Sequence, residues 1–275
     1  MSRHEYALLD VFTDRKFGGN QLAVFRDGAA VPESAMQPIA KELNLPETVF
    51  VLPPRSGGDH HLRIFTPARE LPFAGHPTVG AGFLLSGGKD ATLTLEEKVG
   101  PLKVTVRDGF TEMEQPLPTF RGGPIRGVVA PQIALDLADI EPSPPIEIGS
   151  SGNEFTFVPV RNLDAVRRAA PRGLADAVFL FTRETVMPGS AAHARMFAGW
   201  QGVNEDPATG SACGPFGAYL VRHGLADGAR IVVEQGYEMG RPSILHVRIG
   251  GTRDNITSVH VGGHAVLTGG GWIDS

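Results

Sequence analysis

The sequence holds a single cysteine, Cys213, in 275 residues. One thiol cannot close an internal disulfide or build a multi-cysteine zinc site. Long apolar runs are also missing, and none approaches the roughly 20 residues needed to cross a bilayer. The opening residues, MSRHEYALLD, pass from polar residues straight into a strand-like run without the apolar region of a signal peptide. Positive charge is not in excess: 25 Lys and Arg stand against 30 Asp and Glu, a formal net charge of −5. That balance gives no support for nucleic acid or an anionic membrane as partner. The expectation is a cytoplasmic protein. With 41% hydrophobic and 20% charged residues, the chain has the make-up of a soluble globular protein of one large or two ordinary domains.

Glycine and proline, by contrast, are plentiful, at 35 and 22 residues. They are not gathered into a low-complexity tract, so they predict tight turns between many short strands. Apolar β-branched runs predict strands over 6–12, 22–25, 48–52, 62–65, 91–96 and 102–106. A second set follows over 155–160, 177–181, 194–197, 230–234, 244–249 and 258–261. Helices are expected over 34–43, where Pro38 falls early, and over 163–170 with Asn162 as its cap.

Two further helices echo each other. One lies in AGHPTVGAGFLLSGG (74–88) and the other in NEDPATGSACGPFGAYLVRHG (204–224). His76-Pro77 matches Asp206-Pro207, and Gly80-Ala81 matches Gly210-Ser211, each at an offset of 130. The echo suggests one lobe written twice, each a curved sheet around a central helix. Two unrelated Gly/Pro-rich helix starts would give the same letters. Proline suits the first helical position, which places helix starts at Pro77 and Pro207 with His76 and Asp206 as caps.

Small residues in both first turns leave backbone N–H groups uncovered, a setting that favours an anion such as a carboxylate. Asp206 is then either a helix cap or a site residue. His76 is either a buried, hydrogen-bonded histidine or a member of the same site. Glu47, in LNLPETVFVL, sits at the mouth of an apolar strand. Desolvation there would raise its pKa and suit it to acid–base work, while a solvated glutamate is the plainer reading. His60-His61 is a poor metal pair, because neighbours on a strand face opposite ways. Cys213 reads as a small buried apolar residue, with a thiol hydrolase as the weaker alternative. Gly210-Ser211-Ala212-Cys213-Gly214 is not a nucleophile elbow, since its first glycine abuts the serine.

Four stretches together resemble the phenazine-biosynthesis (PhzF-like) family: DVFTDRKFGGNQLAVF (10–25), ELNLPETVFV (42–51), FTPARELPFAGHPTVGAG (65–82) and FAGWQGVNEDPATGSACGP (197–215). Their order and spacing agree, and the resemblance spans essentially the whole chain. It implies an α+β, diaminopimelate-epimerase-like fold of two pseudo-symmetric lobes, each a curved β-barrel-like sheet around a central helix. The lobes are expected at 1–118 plus 264–275 and at 119–263, with the active site in the cleft between them. By motif position the catalytic residues are Glu47, His76 and Asp206. Ser211 contacts substrate, and Asn20, Gly75 and Gly210 line the pocket.

The activity implied is that of a cofactor-independent isomerase, without a metal, acting as a homodimer on a small carboxylate-bearing metabolite. It would move a proton between carbons by carboxylate acid–base catalysis, with His76 as a neutral imidazole beside a positive helix end. A single cysteine excludes the two-thiol racemisation of related epimerases. A binding protein of the same fold without turnover is the alternative. The chain departs from the family pattern in two places: Gln21 stands where proline commonly follows the asparagine, and Pro46 where serine commonly precedes the glutamate.

Overall fold

In the computed structural model, the structure describes residues 2–174, 176–198 and 203–275. Every apolar run predicted as a strand forms one, usually a residue or two longer, because pairing with a neighbour extends the ends. The chain divides into two compact units, Met1–Glu114 with Gly262–Ser275, and Gln115–Val261.

The first unit contains β1 (Arg3–Val11), β2 (Asn20–Phe25), β3 (Glu47–Leu52), β4 (His60–Phe65), β5 (Glu70–Leu71), β6 (Ala91–Glu97), β7 (Gly100–Arg107) and β8 (Phe110–Gln115). The last strand of the chain, β17 (Asn255–Asp274), gives this unit its portion from Gly262 onward. β1 lies antiparallel between β2 and β17; β2 runs parallel to β3, and β3 antiparallel to β4. β4 is parallel to β6, β6 and β7 form a hairpin, β7 pairs with β8, and β8 with β17. The pairings close on themselves, so the sheet is barrel-like.

Helix α2 (Gly75–Ser86) is the centre of this barrel. Most of its residues are buried, from Gly75 through Gly82 and again at Leu84, as expected of a helix that is apolar on every side. Its glycines serve packing: a Cβ on Gly80 would lie 2.6 Å from Leu22 Cδ2, and one on Gly82 2.6 Å from Val104 Cγ1. The opposite face of β2–β4 is covered by α1 (Glu33–Leu43), which packs Met36 and Ile39 on Phe25, Phe50 and Phe65.

The second unit repeats the plan. It contains β9 (Thr119–Gly122), α3 (Arg126–Gln132), β10 (Glu147–Ser150), β11 (Glu154–Pro159), α4 (Leu163–Arg168), β12 (Val178–Thr182), β13 (Ala192–Ala198), β14 (Val203–Asp206), α5 (Gly210–Arg222), β15 (Ile231–Gln235) and β16 (Ser243–Thr252). From β10 to β16 the pairings run antiparallel, parallel, antiparallel, parallel, antiparallel, the same succession as β1 to β7 without β5. α4 has the expected cap, with Asn162 Oδ1 accepting from the Ala165 amide at 2.9 Å. Central α5 packs Phe216 and Tyr219 among Phe157, Phe179 and Phe181.

Two buried ionic groups brace this unit. Arg195 holds Glu205 at 2.7 Å and the Val166 and Ala169 carbonyls at 2.8 Å. His193 lies between Glu234 at 2.8 Å and Glu238 at 3.1 Å, and Glu234 also accepts from the Val186 and Met187 amides.

The helix starts need correction. α2 begins at Gly75 with Ala74 as its cap position, so His76 and Pro77 stand inside the first turn. Proline fits there because its missing N–H belongs to the four that lack an intrahelical partner. α5 begins only at Gly210, after Thr209, and Asp206 ends strand β14. The helices start 135 residues apart, so the offset of 130 aligns letters and not places. Asp206-Pro207 cannot join the helix because the side chain of Gln235 holds both Asp206 and Thr209 in a loop.

Candidate active site

In the first unit the parallel register of β2 and β3 sets Glu47 opposite Leu22, one residue from Gln21 and two from Asn20. The first turn of α2 brings His76 to the same place. His76 Nε2 lies 3.1 Å from Glu47 Oε2 and 3.2 Å from the Gln21 carbonyl oxygen. On the other side of the ring, Asn20 Nδ2 lies 3.0 Å from Nδ1.

These contacts define the histidine's protonation. The Gln21 carbonyl only accepts, so Nε2 carries the proton and donates it to that carbonyl, with Glu47 Oε2 close by at 3.1 Å. With the Asn20 amide donating, Nδ1 accepts and bears no hydrogen. The imidazole is therefore neutral. Its pKa agrees: burial pushes it down to about 3, only partly offset by the hydrogen bond to Gln21. The expected neutral imidazole is present, but its first cause is desolvation and not a helix end.

The side chain of Glu47 is 15% exposed against 4% for His76. The carboxyl thus lies against a buried neutral imidazole and keeps a small part of its surface in solvent. Such a group can take a proton from a bound molecule and return it. Gly75, the first residue of α2, adjoins His76. The departure at Gln21 leaves this arrangement intact, because the contact uses its carbonyl and not its side chain.

In the second unit Asp206 Oδ2 accepts from Thr209 Oγ1 at 2.6 Å. Gln235, fully buried, donates to the Asp206 carbonyl at 2.7 Å and to Thr209 Oγ1 at 3.0 Å, and accepts from the Thr209 amide at 3.0 Å. Ser211 is the second residue of α5 and buried; the Gly210 carbonyl accepts from Gln115 Nε2 at 2.9 Å. Asp206, Gly210 and Ser211 thus form one group in this unit, and Asn20, Glu47, Gly75 and His76 another in the first. Gly199–Gly202 of the fourth motif lie outside the described residues.

Gln235 and Thr209 escape a reading of the sequence. Thr209 stands within the EDPATGS motif, but nothing in the letters shows that a glutamine 26 residues on will hold it. Cys213 is fully buried, and burial with the nearby Asp206 charge raises its thiol pKa strongly, which removes it as a nucleophile. Among the described residues no group of three His, Cys, Asp or Glu side chains is placed to hold a metal ion. No described helix is long and apolar enough to cross a membrane.

A barrel-like sheet around a buried helix, repeated once along the chain, is the fold of the epimerase and racemase type. A hydroxyproline epimerase from Agrobacterium vitis shares it, with a TM-score of 0.67 at 14% identity, over 99% of this chain and 91% of that one. A phenazine biosynthesis protein of the PhzF family from Bacillus anthracis is much nearer: TM-score 0.92 at 29% identity, over 100% of both chains. The profile of the phenazine biosynthesis-like protein family matches residues 9–271, and the chain belongs to that family. It is an isomerase. Among curated relatives, the trans-2,3-dihydro-3-hydroxyanthranilate isomerase of Pseudomonas fluorescens is 38% identical over 280 residues, 98% of this chain and 99% of that protein. These relatives leave the alternative of a binding protein without turnover unsupported.

Proposed function

We propose that the protein shifts a proton between two carbons of a small, cyclic, amino-substituted carboxylate. Glu47 removes a proton from a carbon beside an unsaturated system, the electron pair moves through that system, and Glu47 returns the proton at its far end. Bonds and charges balance within the substrate, so no redox partner is needed. His76, neutral and anchored by the Gln21 carbonyl, stands with Nε2 3.1 Å from Glu47 and keeps the carboxyl aimed. Asp206 and Ser211 hold polar substituents of the substrate, and Gln235 and Thr209 keep Asp206 in place. The observation that carries the reading is a largely enclosed carboxylate 3.1 Å from a buried imidazole.

The substrate class rests on the relatives named as isomerases of trans-2,3-dihydro-3-hydroxyanthranilate. Incubation with that compound and with other cyclic amino-carboxylates in deuterated water tests it, with proton NMR following the double bonds. Migration of a double bond in at least one of them is expected. A panel in which every compound is recovered unchanged would overturn the reading.

A further inference from the structure

Glu97 is the last residue of β6, and its side chain is buried against the first turn of α2, with 6% of the residue exposed. Glu97 Oε1 contacts Thr78 Oγ1, and the same hydroxyl lies 2.5 Å from the carbonyl oxygen of Ala74. A hydroxyl has one proton to give. The carbonyl can only accept, so that proton goes to Ala74. The hydrogen between Thr78 and Glu97 then belongs to Glu97. The second carboxyl oxygen, Oε2, is buried without a hydrogen-bond partner. An anion with one bare oxygen in an apolar site is costly, while a neutral acid is not.

The surroundings point the same way. Burial pushes the Glu97 carboxyl up to about 8, against the Thr78 hydroxyl and the Ala74 amide, which favour its charged form. Across the sheet it pairs with uncharged Gly100 of β7. Its neighbour Glu96 points to the other face of the strand, where the Arg55, Ser56 and Gly58 amides hold it at 2.6–2.8 Å. Lys98, next along the chain, is exposed. In the first turn of α2 the one titratable group is His76, which is neutral.

Ala74 and Thr78 stand two residues either side of His76. We propose that Glu97 is a positioning residue for the site: its neutral carboxyl donates to Thr78, Thr78 donates to Ala74, and this relay fixes the turn that holds His76 on Glu47. The proposal rests on the reading of Glu47 and His76 as the proton-moving pair. Once Glu97 ionises, the single Thr78 proton is drawn to the carboxylate, the Ala74 carbonyl loses it, and the turn slackens.

Protein labelled with 15N-histidine and 13C-glutamate tests the relay without any substrate. The Glu97 carboxyl carbon should report a neutral acid at pH 7, and the His76 ring nitrogens should shift with the same midpoint, about 8, as it titrates. In Glu97→Gln, whose amide still donates to Thr78, the ring signals at pH 7 should match wild type and the alkaline step should vanish. Glu97→Leu should displace them, as should Thr78→Val if the leucine variant fails to fold. A Glu97 carboxylate already ionised at pH 7, or an alkaline His76 step that persists in Glu97→Gln, would overturn the proposal.

Kinetics on an isomerised substrate supply a second arm. kcat of wild type should fall on the alkaline side with that midpoint, and Glu97→Gln should lose this limb. Glu97→Leu should lower kcat roughly tenfold to a hundredfold with KM little changed, as expected when an aimed group is slightly displaced. Ring shifts that follow Glu97 in a protein turning over no compound would sink the proposed function and leave the relay standing. Turnover with no alkaline link to Glu97 would do the reverse.

Discussion

At the scale of single residues, the state of His76 follows from its burial. With a pKa near 3 in the folded protein and about 6.5 when unfolded, it binds fewer protons folded than unfolded between those values. Protonation there favours unfolding, so the contribution is whole above pH 6.5 and is lost as pH falls toward 3. The loss is on the order of 1 kcal/mol per pH unit in that window. Urea unfolding of wild type and His76→Asn at pH 7 and pH 4.5 checks it: the wild type should weaken more on acidification. Equal weakening would place the charge-sensitive group elsewhere. His76, Glu47 and Asn20 were visible in the sequence because each stands in a distinctive string. Glu97 was visible only faintly, since period-two alternation puts it on the face of Leu93 and Leu95, yet LEEKVG has the look of a solvated turn. Burial of an acid depends on what packs over it, and the helix that does so lies earlier in the chain.

At the scale of elements, the small residues opening α2 read in the sequence as leaving backbone uncovered for a ligand, whereas Gly80 and Gly82 are contact points for the barrel wall. Gly80→Ala should therefore destabilise the protein by about 1–3 kcal/mol, as overpacking does, although alanine favours helix over glycine by roughly 1 kcal/mol. Its Cβ would meet Leu22 and Val11, and Leu22 lies two residues from Asn20. A chemical denaturation midpoint at or above wild type would contradict this packing account.

The clamp on His193 gives a second element-scale outcome. Burial opposes its charge, but Glu234 and Glu238 outweigh that and push it up to about 9. A folded-state pKa above the unfolded one means the contribution is full below about 6.5 and is lost as pH rises through 9. Amide exchange at Val186 and Met187, both bound to Glu234, should lose protection between pH 7 and 10 after correction for intrinsic rates. Unchanged protection would mean that the clamp does not hold that segment. Strands such as β1 and β16 announce themselves through apolar alternation; short β9 and β10, and α3, carry too little of it to stand out from the Gly/Pro-rich sequence around them.

At the scale of the whole molecule, the duplicated plan was legible because helix-opening glycines and prolines recur, but its register was not. Letters match at 130 residues, while the central helices start 135 apart. The difference arises because Pro207 opens a loop held by Gln235, whereas Pro77 sits within a helix. His76 and Asp206 therefore have different settings, one a buried neutral donor and the other a carboxylate at a strand end, and the repeat did not duplicate chemistry. In the proposed reaction Glu47 alone moves the proton, with His76 holding it in place. The most direct test compares wild type with Glu47→Gln on whichever cyclic amino-carboxylate the enzyme isomerises, with fold checked by the backbone amide spectrum. An unchanged spectrum and a kcat lower by at least about a hundredfold are expected, as loss of a general acid–base group demands. A Glu47→Gln enzyme within tenfold of wild type, by the same yardstick for such a group, would contradict it.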